Sequence, residues 1–258
     1  MPAANSAPTE RFSDRVEDYA KYRPHYSPQV VWTLERECDL SSRHTVADVG
    51  CGTGLLAKIF LENGNRVIGV EPNANMRKAG ERFLSCFGKF SMVAGSAEQS
   101  TLPDRSADFV IAGQAFHWFR PAPTRREFAR IVKPEGWVVL IWHDRDTEST
   151  EFLKEYESFL LRHSIDYPTI AHNKVANYKA LERFFSPNAM HLVTQASSQR
   201  FELEGLRGRL LSSSYVPREG PGAEAMLKEL PALFHRFAQN GEVVLAYQTK
   251  IYFGHLAA

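Results

Sequence analysis

Val46-Ala47-Asp48-Val49-Gly50-Cys51-Gly52-Thr53-Gly54 is the stretch on which the fold turns. Val46 to Val49 reads as a short buried strand, and glycines at 50, 52 and 54 follow at once. Residues without a Cβ let the backbone turn tightly and let a ligand lie against the main chain. Leu55, Leu56, Ile59 and Phe60 then share one helical face, and Asn63-Gly64 supplies the stop. Strand, glycine loop and helix in that order place a small-ligand site at the carboxyl end of a parallel strand.

Working outward, the alternation repeats. Arg66 to Val70 is a second expected strand, Ala74 to Phe83 a second helix, Phe90 to Ala94 a third strand and Asp108 to Ala112 a fourth. A helix over Thr124 to Val132 should end at Lys133-Pro134, because proline has no N–H to continue it, and Trp137 to Trp142 forms a fifth strand. Five β/α steps between residues 45 and 144 predict an α/β, Rossmann-like sheet. Past Asp144 the period becomes helical: Phe152, Tyr156, Phe159 and Leu160 share a face, and a weaker helix lies near Lys179 to Phe185. Residues 151–187 are therefore expected as a helical lid insertion. Val193 to Phe201 reads as a strand and Pro217 to Gly222 as a loop. In the final stretch, Tyr247, Thr249, Ile251 and Phe253 alternate with Gln248, Lys250 and Tyr252, the pattern of a half-exposed antiparallel strand. The chain is expected to be one domain over 1–258. It would have a helical cover over 1–40, a cofactor-binding core over 45–144, the lid, and C-terminal strands and helix over 190–258.

Bulk properties narrow the function classes. Lysine and arginine number 31 against 30 acidic residues, so no surplus of positive charge is available to track a phosphate backbone, and nucleic acid is not an expected partner. Cys38, Cys51 and Cys86 are odd in number and lack metal or thioredoxin spacing, which suits reduced thiols and a cytoplasmic location. Met1 to Glu10 has no apolar signal region and no later stretch reaches membrane-spanning length, so no membrane association is expected. The nine histidines show no i, i+4 zinc pair and no accompanying acidic cluster, so no metal is expected. The oligomeric state is not encoded in any pattern of this kind.

The glycine spacing selects among nucleotide ligands. A dinucleotide fingerprint would place its third glycine at position 55, which is Leu55. Glycines at 50, 52 and 54 suit instead a ligand whose amino-acid end lies along the backbone. Glu71 closes the second strand, 17 residues after Gly54, where a carboxylate can accept hydrogen bonds from both ribose hydroxyls. The plain alternative for Glu71 is a solvated charge at a strand end. Cys51 is read as a small loop residue and not as a nucleophile.

On these residues the chain resembles the class I S-adenosylmethionine-dependent methyltransferases, in particular the small-molecule, type 11 branch that includes trans-aconitate and quinone methyltransferases. The resemblance runs from Tyr19 and Arg23 to the final strand. Val46 to Gly54 is similar to the first motif of the family, with Asp48, Gly50, Cys51, Gly52 and Gly54 around the cofactor's methionine end. Gly69-Val70-Glu71-Pro72-Asn73 is similar to the second, with Met76 as the apolar residue flanking adenine. The resemblance further implies that Gly95-Ser96-Ala97-Glu98 holds the adenine edge, although Ser96 replaces a frequent acid, which would pass the N6 contact to Glu98 or to the backbone. Lys133-Pro134-Glu135-Gly136 departs from the usual Lys-Pro-Gly-Gly, and its turn should survive. The family fold so implied has seven strands, the last antiparallel, with S-adenosylmethionine as cofactor.

After the fourth strand comes Gly113-Gln114-Ala115-Phe116-His117-Trp118-Phe119. Gln114 and Ala115 would meet the cofactor at the sheet's carboxyl edge. His117 is the best candidate base; its plain alternative is a histidine that only shapes an aromatic wall. This heptapeptide is not the Asn/Asp-Pro-Pro-Tyr/Phe of enzymes that methylate nucleic-acid amino groups. Arg15, Tyr19, Tyr22 and Arg23 recur at helical spacing, and the resemblance puts Tyr19 and Arg23 near the cofactor carboxylate or the acceptor. Trp118, Trp142, His143 and Tyr215 are the remaining candidates for an acceptor pocket. The expected function is methyl transfer to a small-molecule acceptor, with a carboxylate favoured by Arg15, Arg23, Arg120 and Arg145. The alternatives are a non-catalytic module that senses S-adenosylmethionine or S-adenosylhomocysteine, and a nicotinamide-dependent oxidoreductase.

Overall fold

A computed structural model describes residues 22–165, 167, 178–213, 215–217 and 219–257. Seven strands make one sheet: β1 Thr45–Val49, β2 Arg66–Val70, β3 Phe90–Val93, β4 Ala107–Gly113, β5 Val132–Arg145, β6 His191–Phe201 and β7 Val243–Gly254. Their order is β3-β2-β1-β4-β5-β7-β6. The first five strands pair in parallel, while β7 runs antiparallel between β5 and β6. Because β1 has β2 on one side and β4 on the other, connections leave it in opposite directions. Ligands settle in the crevice that such a switch point opens at the carboxyl ends of the strands.

The helices described are α1 Gln29–Cys38, α2 Leu55–Glu62, α3 Ala74–Phe83, α4 Pro121–Ile131, α5 Glu151–His163, α6 Leu203–Leu211 and α7 Pro221–Phe237. Local chemistry fixes their starts. The Asn73 side chain accepts the N–H groups of Asn75 and Met76 at the head of α3, and Thr150 accepts that of Leu153 at the head of α5. Strand alternation then sorts the core. One sheet face, with Val46, Phe109, Ile111, Ile141 and Ile251, packs on Val30 and Leu34 of α1 and on Leu56, Ile59 and Phe60 of α2. The other, with Ala47, Val49, Val110, Ala112, Val138 and Leu140, packs on Phe128 and Ile131 of α4 and on Leu181, Phe184 and Phe185 of helical residues 178–185. A third cluster joins α5, α6 and α7 to Phe201, Val243, Leu245 and Tyr247 at the β6–β7 end.

The first four strands and the first two helices of the parallel core follow the expected segments within a residue or two, α4 begins at Pro121 instead of Thr124, and β7 is antiparallel as expected. Three further stretches differ. β5 begins at Val132 and not at Trp137: its register jumps from Ala107↔Val132 to Phe109↔Trp137, so Lys133 to Gly136 bulge out of the ladder and Pro134 needs no ladder hydrogen bond there. Pro217 to Gly222 is not all loop, because Pro221 opens the 17-residue α7; a missing N–H costs nothing in the first turn of a helix. The stretch expected as a lid is divided. α5 packs with α6 and α7, whereas helical residues 178–185 cover the opposite sheet face.

Candidate active site

The carboxyl ends of β1, β2 and β4 open onto a cavity of about 860 Å³, mouth included. Its floor is the glycine loop. Gly50 and Gly52 both have left-handed backbone, with φ of +73° and +58°. A Cβ on Gly50 would stand 2.8 Å from the Ala115 Cβ, so the loop is seated against the segment after β4. A Cβ on Gly52 would meet nothing within 4 Å, and its main chain faces open space. The backbone here is the binding surface, and only glycine presents it without strain.

Glu71 is the most buried charge in the cavity lining. Its Oε2 accepts the Gly52 N–H at 3.0 Å and its Oε1 accepts the Asn73 N–H at 2.9 Å. Burial raises its pKa, against those N–H groups and the nearby Arg77. Each oxygen keeps a lone pair, which is the donor-seeking surface a ribose diol requires. Pro72, Asn73 and Met76 continue the wall along the start of α3.

The third wall is Ser96, Ala97 and Glu98. Ser96 Oγ accepts the N–H groups of Glu98 and Gln99 at 3.3 and 3.2 Å, holding a tight turn. Burial would raise the Glu98 pKa, but the Arg120 N–H, donating to Oε1 at 2.9 Å, and Ser96 outweigh it and keep the carboxyl below its usual range. Glu127 of α4 anchors the same loop. It accepts the Ser100 N–H at 2.7 Å and hydroxyl at 2.5 Å, and Arg130 donates to both of its oxygens. Gly113, Gln114, Ala115, Trp118 and Phe119 close the cavity from the β4 side. The arrangement fits a nucleoside carrying a zwitterionic tail: an acid for the sugar, exposed main chain for the tail, and apolar side chains for the base. Among the described residues no group of His, Cys, Asp and Glu could hold a metal ion.

Residues 47–140 match the family model described as "Methyltransferase domain". That match runs from β1 into β5. An uncharacterized methyltransferase of Schizosaccharomyces pombe is 32% identical over 136 residues, 52% of this chain and 53% of that protein. One of Mycobacterium tuberculosis is 33% identical over the same shares. The chain thus spans about half the length of these curated relatives. A methyltransferase-like protein of the same yeast is 25% identical over 92% of each chain. Among solved structures, one from Anaeromyxobacter dehalogenans, provisionally described as a type II methyltransferase, superposes with a TM-score of 0.65 at 19% identity and covers 92% of this chain and all of that one. The Haemonchus contortus phosphoethanolamine N-methyltransferase 2, solved with phosphomonomethylethanolamine and S-adenosylhomocysteine, superposes at 0.53 and 13% identity, over all of this chain and 62% of that one.

Within the matched stretch, Gly50, Gly52, Glu71, Pro72, Met76, Ser96, Ala97, Glu98, Gln114 and Ala115 line one cavity, as does Trp118. Asp48, Cys51 and Gly54 stand behind it and shape the loop. Asp48 is buried on the α2 side, where desolvation pushes its pKa up to about 7; burial also raises the Cys51 thiol. Tyr19 lies outside the described residues. Arg23 donates from Nη2 to the Ser212 carbonyl at 3.0 Å, beside α6 and not in the cavity wall. His117 is exposed and sits next to Trp118, ring centroids 4.7 Å apart, outside the cavity lining; the surrounding protein and then Arg23 push its pKa down to about 4.

The expected acceptor residues divide by strand alternation. Trp142 faces the α4 side, edge-on to Phe116 and Tyr252, because neighbouring residues of β5 point to opposite faces. His143 and Arg145 point the other way. His143 Nδ1 pairs with Thr249 Oγ1 at 2.9 Å, its ring lies 4.5 Å from that of Tyr26, and burial followed by Arg209 pushes its pKa down to about 4. The Tyr215 ring is tilted against that of Tyr167, centroids 4.7 Å apart, in the same neighbourhood. Sequence reasoning missed Asn73 and Phe119 as cavity residues, and Tyr26, which packs between Gly113 and His143. Asn73 had a detectable signal, as a helix-capping residue just after Glu71. Tyr26 had none.

Proposed function

We propose that the chain transfers the methyl group of S-adenosylmethionine to a small-molecule acceptor. The observation that carries this reading is a single cavity shared by the Gly50–Gly52 backbone, the Glu71 carboxylate and the Ser96–Glu98 turn. Bound there, the cofactor supplies an electrophilic sulfonium methyl. Glu71 accepts from the ribose hydroxyls, Ala97 and Glu98 meet the adenine edge, and Met76 and Phe119 sandwich the base. The amides beside Gly50 and Gly52 lie along the methionine tail. Trp118, Gln114 and Ala115 exclude water from the reacting end, and positioning with desolvation accounts for several kcal/mol of barrier lowering without a proton transfer.

His117 is a weak base with a pKa near 4, so an acceptor that is already anionic, a carboxylate among them, suits the site better than one that must first lose a proton. The free thiols of Cys38, Cys51 and Cys86 support a cytoplasmic setting. No helix of the described residues is long and apolar enough to cross a membrane. The test is thermal protection by S-adenosylhomocysteine, followed by transfer of label from methyl-tritiated S-adenosylmethionine into a panel of small acceptors. Protection without transfer across the panel would favour a non-catalytic sensor. Absence of protection at saturating dose would overturn the reading.

A further inference from the structure

Behind the β4 wall of the cavity lies a cluster that the methyl-transfer reading does not use. β5 sends His143 and Arg145 to one face, β7 sends Tyr247 and Thr249 to the same face, and α6 brings Arg209 over them. Arg209 is buried, with 7% of its surface exposed. It donates to the hydroxyls of Tyr247 at 3.3 Å, Ser213 at 2.9 Å and Ser212 at 3.4 Å, and no ion pair joins it to a carboxylate among the described residues. Arg145, equally buried, donates to Glu157 and to the Tyr167 hydroxyl and lies 5.0 Å over the Tyr156 ring. Its Nη1 is buried without a hydrogen-bond partner, and so is His143 Nε2. Arg23 closes the group through Ser212, near enough to Tyr215 and His117 to influence both. Glu157 is the one carboxylate paired with the Arg145 and Arg209 guanidinium groups among the described residues.

A buried cation held only by neutral hydroxyls is an unfavourable arrangement unless an anion completes it. Two further buried nitrogens without partners point to the same missing group. The cluster is joined to the cavity. Gln114, a cavity residue, donates Nε2–H to the His143 carbonyl at 3.1 Å, and the Tyr26 ring packs between His143 and Gly113.

We infer that Arg209, Arg145 and His143, framed by Tyr156, Tyr215 and Tyr247, form the subsite that anchors a carboxylate of the methyl acceptor. The inference rests on the methyltransferase reading for its purpose, though not for its anion chemistry. Planar guanidinium forks match a planar carboxylate, and the tyrosine rings supply a flat apolar surround that suits an organic acid over a free phosphate. A carboxylate so clamped has its lone pairs engaged and is a poor nucleophile. The acceptor is therefore an organic acid whose reacting group is a second one, directed toward Gln114 and Trp118.

The test uses the full chain, with and without saturating S-adenosylhomocysteine, probed by succinate, glutarate, citrate and benzoate, by dimethyl glutarate and by inorganic phosphate. Thermal shift and calorimetry should show at least one free acid binding, and neither the neutral ester nor phosphate. Arg209→Met should weaken that acid at least tenfold, leave S-adenosylhomocysteine affinity within twofold and not lower the melting temperature of the unliganded protein, as loss of a merely structural arginine would. If Arg209→Met fails to fold, Arg209→Lys, which keeps the charge but not the fork, carries the same expectation for the acid. No binding of any acid, equal binding of phosphate, or unaltered acid binding in these variants overturns the inference. Failure of S-adenosylhomocysteine to bind strikes instead at the methyltransferase reading, and the arm without it still decides the anion subsite.

Discussion

Glu71 reaches from the end of β2 to the glycine loop after β1 and accepts the N–H of Gly52 at 3.0 Å. One side chain thereby ties together two of the strand ends that line the cavity. The residue proposed to grip a ribose is also the residue that holds the loop proposed to receive the methionine tail, so ligand affinity and loop order are coupled through it.

Glu71→Ala should therefore lose both functions. Hydrogen bonds to a charged acceptor contribute about 1.5–3 kcal/mol each, so removing the ribose partner should weaken S-adenosylhomocysteine by roughly tenfold to a hundredfold or more. Glu71→Gln keeps an acceptor oxygen and should fall between. Calorimetric titration decides it, and an unchanged dissociation constant in Glu71→Ala would remove the residue from the site.

Gly50 and Gly52 separate fold from ligand. Both have positive φ, and an alanine in that region costs about 1–2 kcal/mol of strain. Gly50→Ala adds a collision with Ala115 and should unfold the loop or depress the melting temperature by many degrees. Gly52→Ala adds only a methyl group facing open space, so the protein should stay folded with a modest loss of stability while cofactor binding collapses. Equal loss of stability in the two variants would sink the distinction.

The cofactor half of this architecture is legible in sequence because its residues are close together along the chain and obey strict periods. Gly50, Gly52, Glu71, Met76 and the Ser96–Glu98 turn each follow directly from a strand end, so locating the strand locates the residue. The proposed acceptor subsite is not legible in the same way. Arg209, Tyr247 and His143 meet only because β7 inserts beside β5 and α6 folds over it, and no local pattern announces either pairing. Arg145, His143 and Trp142 are all visible as candidates at the end of β5, but what each side chain meets depends on the elements that cover the two sheet faces, which no local pattern names. Pro221 shows the opposite problem, a residue that breaks most helices placed where it starts one.

Glu127 offers a test of how the adenine-side loop is held. Its carboxylate is little exposed, accepts two hydrogen bonds from Ser100 and pairs with Arg130, which also reaches Asp104 and the Leu102 carbonyl. Glu127→Ala leaves the Ser100 donors without their partner and should cost about 2–4 kcal/mol, given about 1–3 kcal/mol for a buried donor left unpaired. The melting temperature should fall, and amide exchange across residues 96–104 should accelerate more than elsewhere. Burial acts against the ionised form, but Arg130 and Ser100 prevail and hold the pKa near 2, so this contribution is present above the ordinary carboxylate range and is lost as pH falls toward 2. Exchange rates unchanged in that loop would show that other contacts hold it.

Asp48 should leave the opposite signature on pH dependence. Burial lifts its pKa from 3.8 to about 7. Between those values the folded protein keeps a proton that the unfolded chain has released, so stability declines as pH rises from about 4 to 7 and levels off beyond. At about 1.4 kcal/mol per unit, the upper bound is about 4 kcal/mol. His143 works in the other direction: burial and Arg209 depress its pKa to about 4, so its contribution is present above 6.5 and is lost on acidification. The wild-type melting curve therefore mixes the two, and the informative quantity is the difference between Asp48→Asn and wild type, in which the histidine cancels. That difference should move in favour of the variant as pH rises from 5 to 8, with the asparagine protein gaining several degrees relative to wild type. Parallel curves for the two proteins would mean that Asp48 is ionised throughout in the fold and that its burial beside Cys51 is offset by interactions other than protonation.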